Sequence, residues 1–143
     1  MKLKQNTHST AEVITVLSGY LKSRGDIIFA LLHGSFIREK TFRDIDIAIF
    51  LDPIPDSPLN YELDLSTKLD MATSLPAETD IRILNGAPLS FRFHCIRDYK
   101  ILLCRDEARF VEFREHTIRD YQDNSYHYNT FLKQHYERQT QQK

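Results

Sequence analysis

The sequence predicts an α/β (α+β) fold in which helices pack on a mixed β-sheet. The first observation is an alternation of elements: short runs typical of strands are interleaved with segments whose apolar residues recur at helical spacing. The second is size and composition. A chain of 143 residues with 41% hydrophobic and 27% charged residues is typical of one ordinary globular domain, so we expect residues 1–143 to form a single domain.

The first half of the chain predicts a helix followed by two strands. Ser9 and Glu12 have the spacing of a capping box, and the apolar residues that follow recur at helical intervals until Gly25, which we expect to end the helix in a left-handed conformation. The apolar run 27–32 has the length of a strand that is buried on both faces. The segment 44–51 alternates at its start and is wholly apolar at its end, which predicts a second strand.

The second half predicts two more helices, two more strands and a helical end. Leucines form one helical face over 60–75, and we expect Pro76 to end that helix. The remaining predicted elements are a strand at 79–84, a short helix opened by Pro88, a strand at 100–104 and, from about 106 to 143, a C-terminal helical segment of the same domain.

Charge and hydropathy argue against several classes of protein. Nineteen basic residues against 20 acidic ones give a net charge of -1, so we expect no strong direct binding of nucleic acid through phosphate neutralisation. No apolar run approaches the roughly 20 residues that span a bilayer, and the first ten residues lack the core of a secretory signal. We therefore expect no membrane partner and a cytoplasmic location. Cys95 and Cys104 lack disulfide or zinc spacing and are expected to be reduced and mostly buried.

A candidate site is predicted where carboxylates follow a glycine and a serine. Asp44 and Asp46 lie two residues apart on a predicted strand, so the pleat directs both to one face, where a bound Mg²⁺ would relieve their repulsion. Such a pair alone is more often solvent-facing polarity than a metal site. However, Gly34 and Ser35 directly follow a buried strand and can hold phosphate oxygens. Asp80, on a third strand with the same alternation, can add a third carboxylate.

These motifs resemble the minimal nucleotidyltransferases of the DNA polymerase β superfamily. The resemblance rests on Leu-Leu-His-Gly-Ser at 31–35, Asp-Ile-Asp-Ile at 44–47 and the later Asp80, and it covers about residues 29–104. It implies a nucleotidyltransferase fold, two Mg²⁺ ions and ATP as the nucleotide donor. By similarity, the triphosphate would be held by Gly34 and Ser35, the metal ions by Asp44, Asp46 and Asp80, and Asp80 would assist deprotonation of the acceptor.

The loop between Ser35 and Asp44 has eight residues, whereas the family more often has about ten. This loop carries Arg38, Lys40 and Arg43, whose charges can offset those of a triphosphate. Ordinary solvated surface is the alternative interpretation. Arg38 is the one of the three that we retain as a candidate nucleotide-binding residue.

The chain is expected to need a partner, because most of its length is spent on the catalytic sheet and no second domain is evident that would bind a large substrate. Nucleotidyltransferases of this size resemble the antitoxins of two-gene toxin–antitoxin modules, and the segment 85–93 shares that resemblance. The resemblance implies transfer of AMP to a tyrosine of a partner ribonuclease toxin with a HEPN domain. Two alternatives stay open: an antitoxin that inhibits by binding and occlusion without transfer, and a transferase for a small molecule such as an aminoglycoside.

One histidine and two groups of C-terminal residues are interpreted as structural or, for the last group, as a candidate docking surface. His33 adjoins the candidate site, and we interpret it as the end of a buried strand. Phe110, Phe113, Thr117 and Tyr121 recur at helical spacing and predict a helix packed on the sheet. The aromatic residues between 126 and 136 predict either a docking surface for the partner or a helix that caps the domain.

Overall fold

A computed structural model describes residues 4–5, 9–38 and 41–141, with side chains described at 9–38, 43–125 and 133. The elements, in chain order, are β1 (Lys4–Gln5), α1 (Thr10–Leu21), β2 (Ile27–His33), α2 (Ser35–Arg38), β3 (Thr41–Phe42), β4 (Ile45–Leu51), α3 (Pro58–Ala72), β5 (Thr79–Ile83), α4 (Leu89–Arg97), β6 (Lys100–Cys104) and α5 (Glu107–Gln141).

Four of the strands form a mixed sheet in the order β5-β4-β2-β6. Strands β4 and β5 are parallel, while β2 is antiparallel to both β4 and β6. Alternate residues of the sheet contribute to two apolar clusters: one packs against α1 and α3, and the other packs against α4 and α5. The predicted mixed sheet with helices packed on it is therefore confirmed.

The start of α1 is confirmed, but its end is not where the sequence predicts it. The Glu12 backbone N–H donates to the Ser9 hydroxyl at 3.1 Å, as the capping box requires. The helix ends at Leu21 and is capped by Lys22, whose N–H donates to the Ser18 carbonyl. Gly25 has no positive φ, so the predicted left-handed stop is wrong: the chain instead leaves the helix through a turn in which the Arg24 N–H donates to Leu21.

The boundaries of α3 also differ from the prediction. The helix begins at Pro58, a residue whose fixed φ suits the first helical position, and it ends at Ala72. Thr73 adopts an extended conformation and donates from both its N–H and its hydroxyl to the Leu69 carbonyl. These bonds satisfy the Leu69 carbonyl, and the helix ends at Ala72, four residues before Pro76, so Pro76 does not end it.

Three short elements lie in or beside the segment that the sequence presents only as a loop. Helix α2 begins at Ser35, and β3 pairs antiparallel with β1, so that Lys4 is opposite Phe42. Strands of two residues carry no periodic signal, which is why the sequence pattern does not reveal them. Lys40 lies outside the described residues.

Helix α5 packs on the sheet through the residues that the periodicity selects. The rings of Phe110 and Phe113 lie 5.1 and 5.5 Å from that of Phe29, and Thr117 is fully buried. Tyr121 stacks on Phe93 of α4 at 3.6 Å between ring centroids. The side chains proposed as a docking surface, Tyr126, Tyr128, Phe131, Leu132 and Tyr136, lie outside the described residues.

Two smaller observations bear on the sequence analysis. Both cysteines are free; Cys95 is buried and Cys104 is partly buried. Within the described parts of the chain, no helix combines the length and the apolarity that crossing a membrane requires.

Candidate active site

The sheet topology brings the predicted site residues to one corner. Strand β2 ends where β4 begins, because the two are antiparallel, and His33 is opposite Asp46. Strand β5 begins beside β4, because those two are parallel, and Asp46 is opposite Asp80. Gly34 and Ser35 directly follow β2. Residues from three separate stretches of sequence therefore meet across adjacent strands, which lie about 5 Å apart.

The carboxylates occupy the face of the sheet that carries α4 and α5. Ile45 and Ile47 point into the apolar cluster beneath α1 and α3, whereas Ala48, on the same side of the pleat as Asp46, belongs to the cluster under α4 and α5. Asp44 lies one residue before β4 and raises the pKa of Asp46 through its charge. Asp80 acts on Asp46 in the same way, so the three acids form one electrostatic cluster.

Asp46 lies directly against Gly34. Gly34 is buried and has a φ of +84°, a backbone conformation that residues other than glycine rarely adopt. A Cβ atom built on Gly34 would overlap the Asp46 carboxylate. The sequence suggests that this glycine allows a ligand to approach the backbone, and the structure adds that it makes room for the Asp46 carboxylate.

The environment of Asp46 disfavours its charged form. Burial, and next the charges of Asp80 and Asp44, raise the pKa of Asp46 from 3.8 to about 6, against the opposing effect of Arg82 and Arg38. A cation bound at this corner would therefore stabilise the charged form of Asp46. The raised pKa of Asp46 also affects the stability of the folded protein.

We expect Asp46→Asn to increase the free energy of unfolding at pH 7. The folded-state pKa lies above the unfolded value, so the folded protein holds the Asp46 proton more tightly and loses stability as the pH rises from about 4 to about 6. The full shift corresponds to about 3 kcal/mol, which solvent screening of this partly exposed group reduces to about 1 to 2 kcal/mol. Urea unfolding should show that gain at pH 7 and almost none at pH 4. A gain of equal size at both pH values would contradict the assignment.

The cationic side chains near the corner differ in their placement. Arg38 is exposed on α2, and its Nε donates to the Gly34 carbonyl at 3.3 Å. Arg43 is exposed, and the structure gives it no bond to the site. Arg82, which sequence reasoning missed, donates from Nε to Asp80 at 3.2 Å. Its position two residues after Asp80 on a strand is the signal that places it on the same face.

His33 is buried behind the acids and is neutral at pH 7. Its side chain is 4% exposed, and its Nε2 lies 3.6 Å from the Cys95 sulfur of α4. Burial, and next the charge of His94, lower the pKa of His33 to about 4. Burial, and next the charge of Asp46, raise the pKa of the Cys95 thiol to about 12. These two neutral groups form the floor under the acid cluster, which agrees with a structural role for His33.

The carboxylates at the corner suit a metal ion that is also coordinated by the phosphate groups of a substrate. Among the described side chains, no group of three or more His, Cys, Asp or Glu is gathered tightly enough to hold a metal ion by itself. Mg²⁺ is commonly held by one or two carboxylates, with substrate phosphates and water completing its coordination. Mutually repelling carboxylates at Asp44, Asp46 and Asp80, next to Gly34 and Ser35, fit that mode of binding.

Comparison with known families identifies one match. The family model described as Polymerase beta, Nucleotidyltransferase matches residues 16–108, which include every residue assigned to the corner. No curated protein sequence matches the chain.

Solved structures share the fold at low sequence identity. One is a chain of the complex between a tri-AMPylated HEPN toxin from Shewanella oneidensis and an MNT antitoxin, with 19% identity, a TM-score of 0.64, and coverage of 84% of this chain and 96% of that chain. A second is from a toxin–antitoxin structure with AMP-PNP: 21% identity, TM-score 0.67, coverage 84% and 95%. A third is from the MntA-HepT toxin–antitoxin: 20% identity, TM-score 0.61, coverage 86% and 92%. At these identities the likeness establishes a common fold.

Proposed function

The chain belongs to the polymerase β nucleotidyltransferase family, and we propose that it transfers AMP from ATP to a protein hydroxyl. The acceptor that we propose is a tyrosine of a HEPN-domain ribonuclease toxin, which the chain would silence as its antitoxin in the cytoplasm. The observation that carries the proposal is the meeting of Asp44, Asp46 and Asp80 with Gly34 and Ser35 at one corner of the sheet. Support for the acceptor comes from the solved structures that share the fold, one of which is from a complex of an MNT antitoxin with a tri-AMPylated HEPN toxin.

Each residue of the corner has a role in this proposal. Gly34 and Ser35 hold triphosphate oxygens through backbone N–H groups and the serine hydroxyl, and Arg38 neutralises phosphate charge. Asp44, Asp46 and Asp80 are the residues that would hold two Mg²⁺ ions. Bound there, Mg²⁺ would stabilise charge on the phosphate oxygens and lower the pKa of the acceptor hydroxyl.

The reaction is an in-line displacement at the α-phosphorus. The acceptor oxygen forms a bond to that phosphorus, and the bond from the phosphorus to the oxygen shared with the β-phosphate breaks, so its electron pair leaves with pyrophosphate. The Asp80 carboxylate takes the hydroxyl proton. Arg82, bonded to Asp80, fixes the orientation of that carboxylate. The neutral His33 adds no competing positive charge beneath the site.

The test is label transfer from ATP to a purified HEPN-domain protein as candidate acceptor, in the presence of Mg²⁺. We expect label from α-labelled ATP to appear on one or more tyrosines, with loss of ribonuclease activity. ATP labelled at the γ-phosphate is the control, because that label leaves with pyrophosphate. Label from the γ-position would indicate a kinase instead. Inhibition without any label would refute transfer and favour an antitoxin that acts by occlusion.

A further inference from the structure

A groove opens beside the acid cluster, between α3 and the edge of the sheet. This α3–β5 groove has a volume of about 340 Å³ and is lined by residues that include Asp44, Leu59, Leu63, Glu78, Asp80 and Arg82. Asp44 and Asp80 belong both to the groove and to the candidate active site. The groove is therefore continuous with the site and is not a separate surface feature.

The groove lies on the opposite side of Asp46 from the phosphate-binding residues. The sheet order places β4, which carries Asp46, between β5 on the groove side and β2 on the side of Gly34 and Ser35. A nucleotide held after β2 therefore faces the groove across Asp46. An in-line displacement requires the attacking oxygen to approach from the side opposite the leaving group, which is the groove side.

The wall of the groove that α3 supplies carries two leucines that are open to solvent. Leu59 and Leu63 are 63% and 59% exposed. They are four residues apart on one helix, so they lie next to each other on the same face. Single exposed leucines are ordinary, but two adjacent ones inside a groove offer a surface on which an apolar side chain can be buried.

The remaining lining is strongly acidic. The groove contains four carboxylates, including Asp44 and Glu78, and one guanidinium, that of Arg82. Arg82 bonds to Asp80 and can offset only one of the four negative charges, so the groove keeps a net negative charge. The whole chain has a net charge of only -1, so this concentration of negative charge is local. A basic side chain is the complementary group.

Side chains of α3 already bond the backbone at the edge of β5. The Thr79 N–H donates to Asp70 at 3.1 Å, the Ile83 N–H donates to Glu62 at 2.8 Å, and the Ser66 hydroxyl donates to the Thr79 carbonyl at 2.6 Å. These bonds occupy backbone groups at both ends of β5 and so hinder another chain from pairing with this strand. Recognition in the groove must therefore depend on side chains.

We propose that the α3–β5 groove binds the polypeptide segment that presents the acceptor hydroxyl. That segment carries an apolar side chain, which packs on Leu59 and Leu63, and a basic side chain, which lies beside Asp44 and Glu78. This inference rests on the proposed transfer to a protein. It adds which face of the site the acceptor occupies and which residue types surround its hydroxyl.

The proposal is tested by NMR titration with two synthetic peptides, acetyl-Leu-Arg-Tyr-Arg-Leu-amide and the same peptide with glutamate in place of both arginines. We expect the basic peptide to shift the amide signals of Leu63 and Glu78, and the acidic peptide to leave them unchanged. The pair Leu63→Ser and Glu78→Lys should weaken binding of the basic peptide at least about tenfold. The proposal is overturned if the amide signals of Leu63 and Glu78 do not shift, or if they shift equally with both peptides.

A matched control pair is Met71→Ser with Asp64→Lys. Both residues are exposed on α3, Met71 at 82%, and neither lines the groove. This pair makes comparable changes of charge and hydrophobicity outside the groove, so it should leave peptide binding intact. Equal loss in the control pair would show that general charge and hydrophobicity are responsible, and would overturn the assignment to the groove.

The transfer assay separates this inference from the proposed function. We expect the groove pair to raise KM for the acceptor protein about tenfold while KM for ATP stays the same. If the groove pair still transfers AMP with an unchanged KM for the acceptor, the acceptor does not bind in the groove, and the proposed function stands. Peptide binding in the groove of a chain that transfers no AMP would refute the proposed function and support the groove as a binding site.

Discussion

Replacing both Asp44 and Asp46 by asparagine is expected to lower AMP transfer at least about a thousandfold. That loss corresponds to about 4 kcal/mol of transition-state stabilisation, within the range that carboxylate-held metal ions supply in phosphoryl chemistry. Asparagine preserves the size of the side chain but removes the charge that would hold a cation beside Gly34 and Ser35. The measurement is the initial rate of label transfer from α-labelled ATP to the acceptor protein at saturating Mg²⁺.

The same substitutions should leave the fold intact, which distinguishes a catalytic effect from unfolding. Asp46 is destabilised by burial and by its neighbours Asp80 and Asp44, so its neutral replacement favours the folded state at pH 7. We therefore expect a variant that is inactive but more stable than the native protein. Loss of activity together with loss of stability would assign Asp46 a structural role.

A control with the same loss of formal charge is Asp64→Asn with Asp98→Asn. Asp64 pairs with Lys68 on the surface of α3, and Asp98 pairs with Arg97 after α4. Neither lies at the corner of the sheet, so transfer should stay within about twofold of the native rate, as is typical of exposed pairs. If the Asp44 and Asp46 variant kept native activity, the nucleotidyltransferase mechanism at this corner would be refuted.

The parts of the site that the sequence predicts are those set by local periodicity. Asp46 and Asp80 alternate with buried isoleucines, and a period of two is sufficient to place both on a polar face. Gly34 is marked by its position directly after an apolar run. Sequence alone does not provide the order of the strands, because pairing β2 with β4 depends on contacts between residues far apart in the chain.

The parts that the sequence does not predict depend on that pairing. The contact between Gly34 and Asp46 exists only because the register places the end of β2 opposite the start of β4. Neither residue has a local pattern that indicates the other. The groove depends in the same way on the packing of α3 against β5, and the exposed Leu59 and Leu63 look like ordinary helix residues until that packing is known.

Substitution of Gly34 by alanine is expected to cause the second large loss of activity. The Cβ atom would overlap the Asp46 carboxylate, which must then rotate away from the corner or push the backbone apart. A displacement of about 1 Å in a catalytic group can reduce the rate about a hundredfold, and we expect a loss of that size in AMP transfer. The free energy of unfolding should also fall, by about 2 kcal/mol or more, from overpacking and from the positive φ.

Gly86 provides a matched control because it has the same backbone conformation without the close contact. Its φ is +71°, and an added Cβ would meet no atom within 4 Å. Gly86→Ala should therefore cost only the conformational strain, about 1 to 2 kcal/mol, and should leave the rate of transfer near the native value. Chemical denaturation and the transfer assay on both variants measure the difference.

A double-mutant cycle between Gly34 and Asp46 assigns that difference to the contact. In an Asp46→Ala background the overlapping carboxylate is gone, so the stability cost of Gly34→Ala should fall towards that of Gly86→Ala. A cost that is the same in both backgrounds would mean that Gly34 is required for its backbone conformation alone. A reduced cost would establish that this glycine is required for the position of the Asp46 carboxylate as well as for the conformation of the turn after β2, because the space it leaves is occupied by that carboxylate.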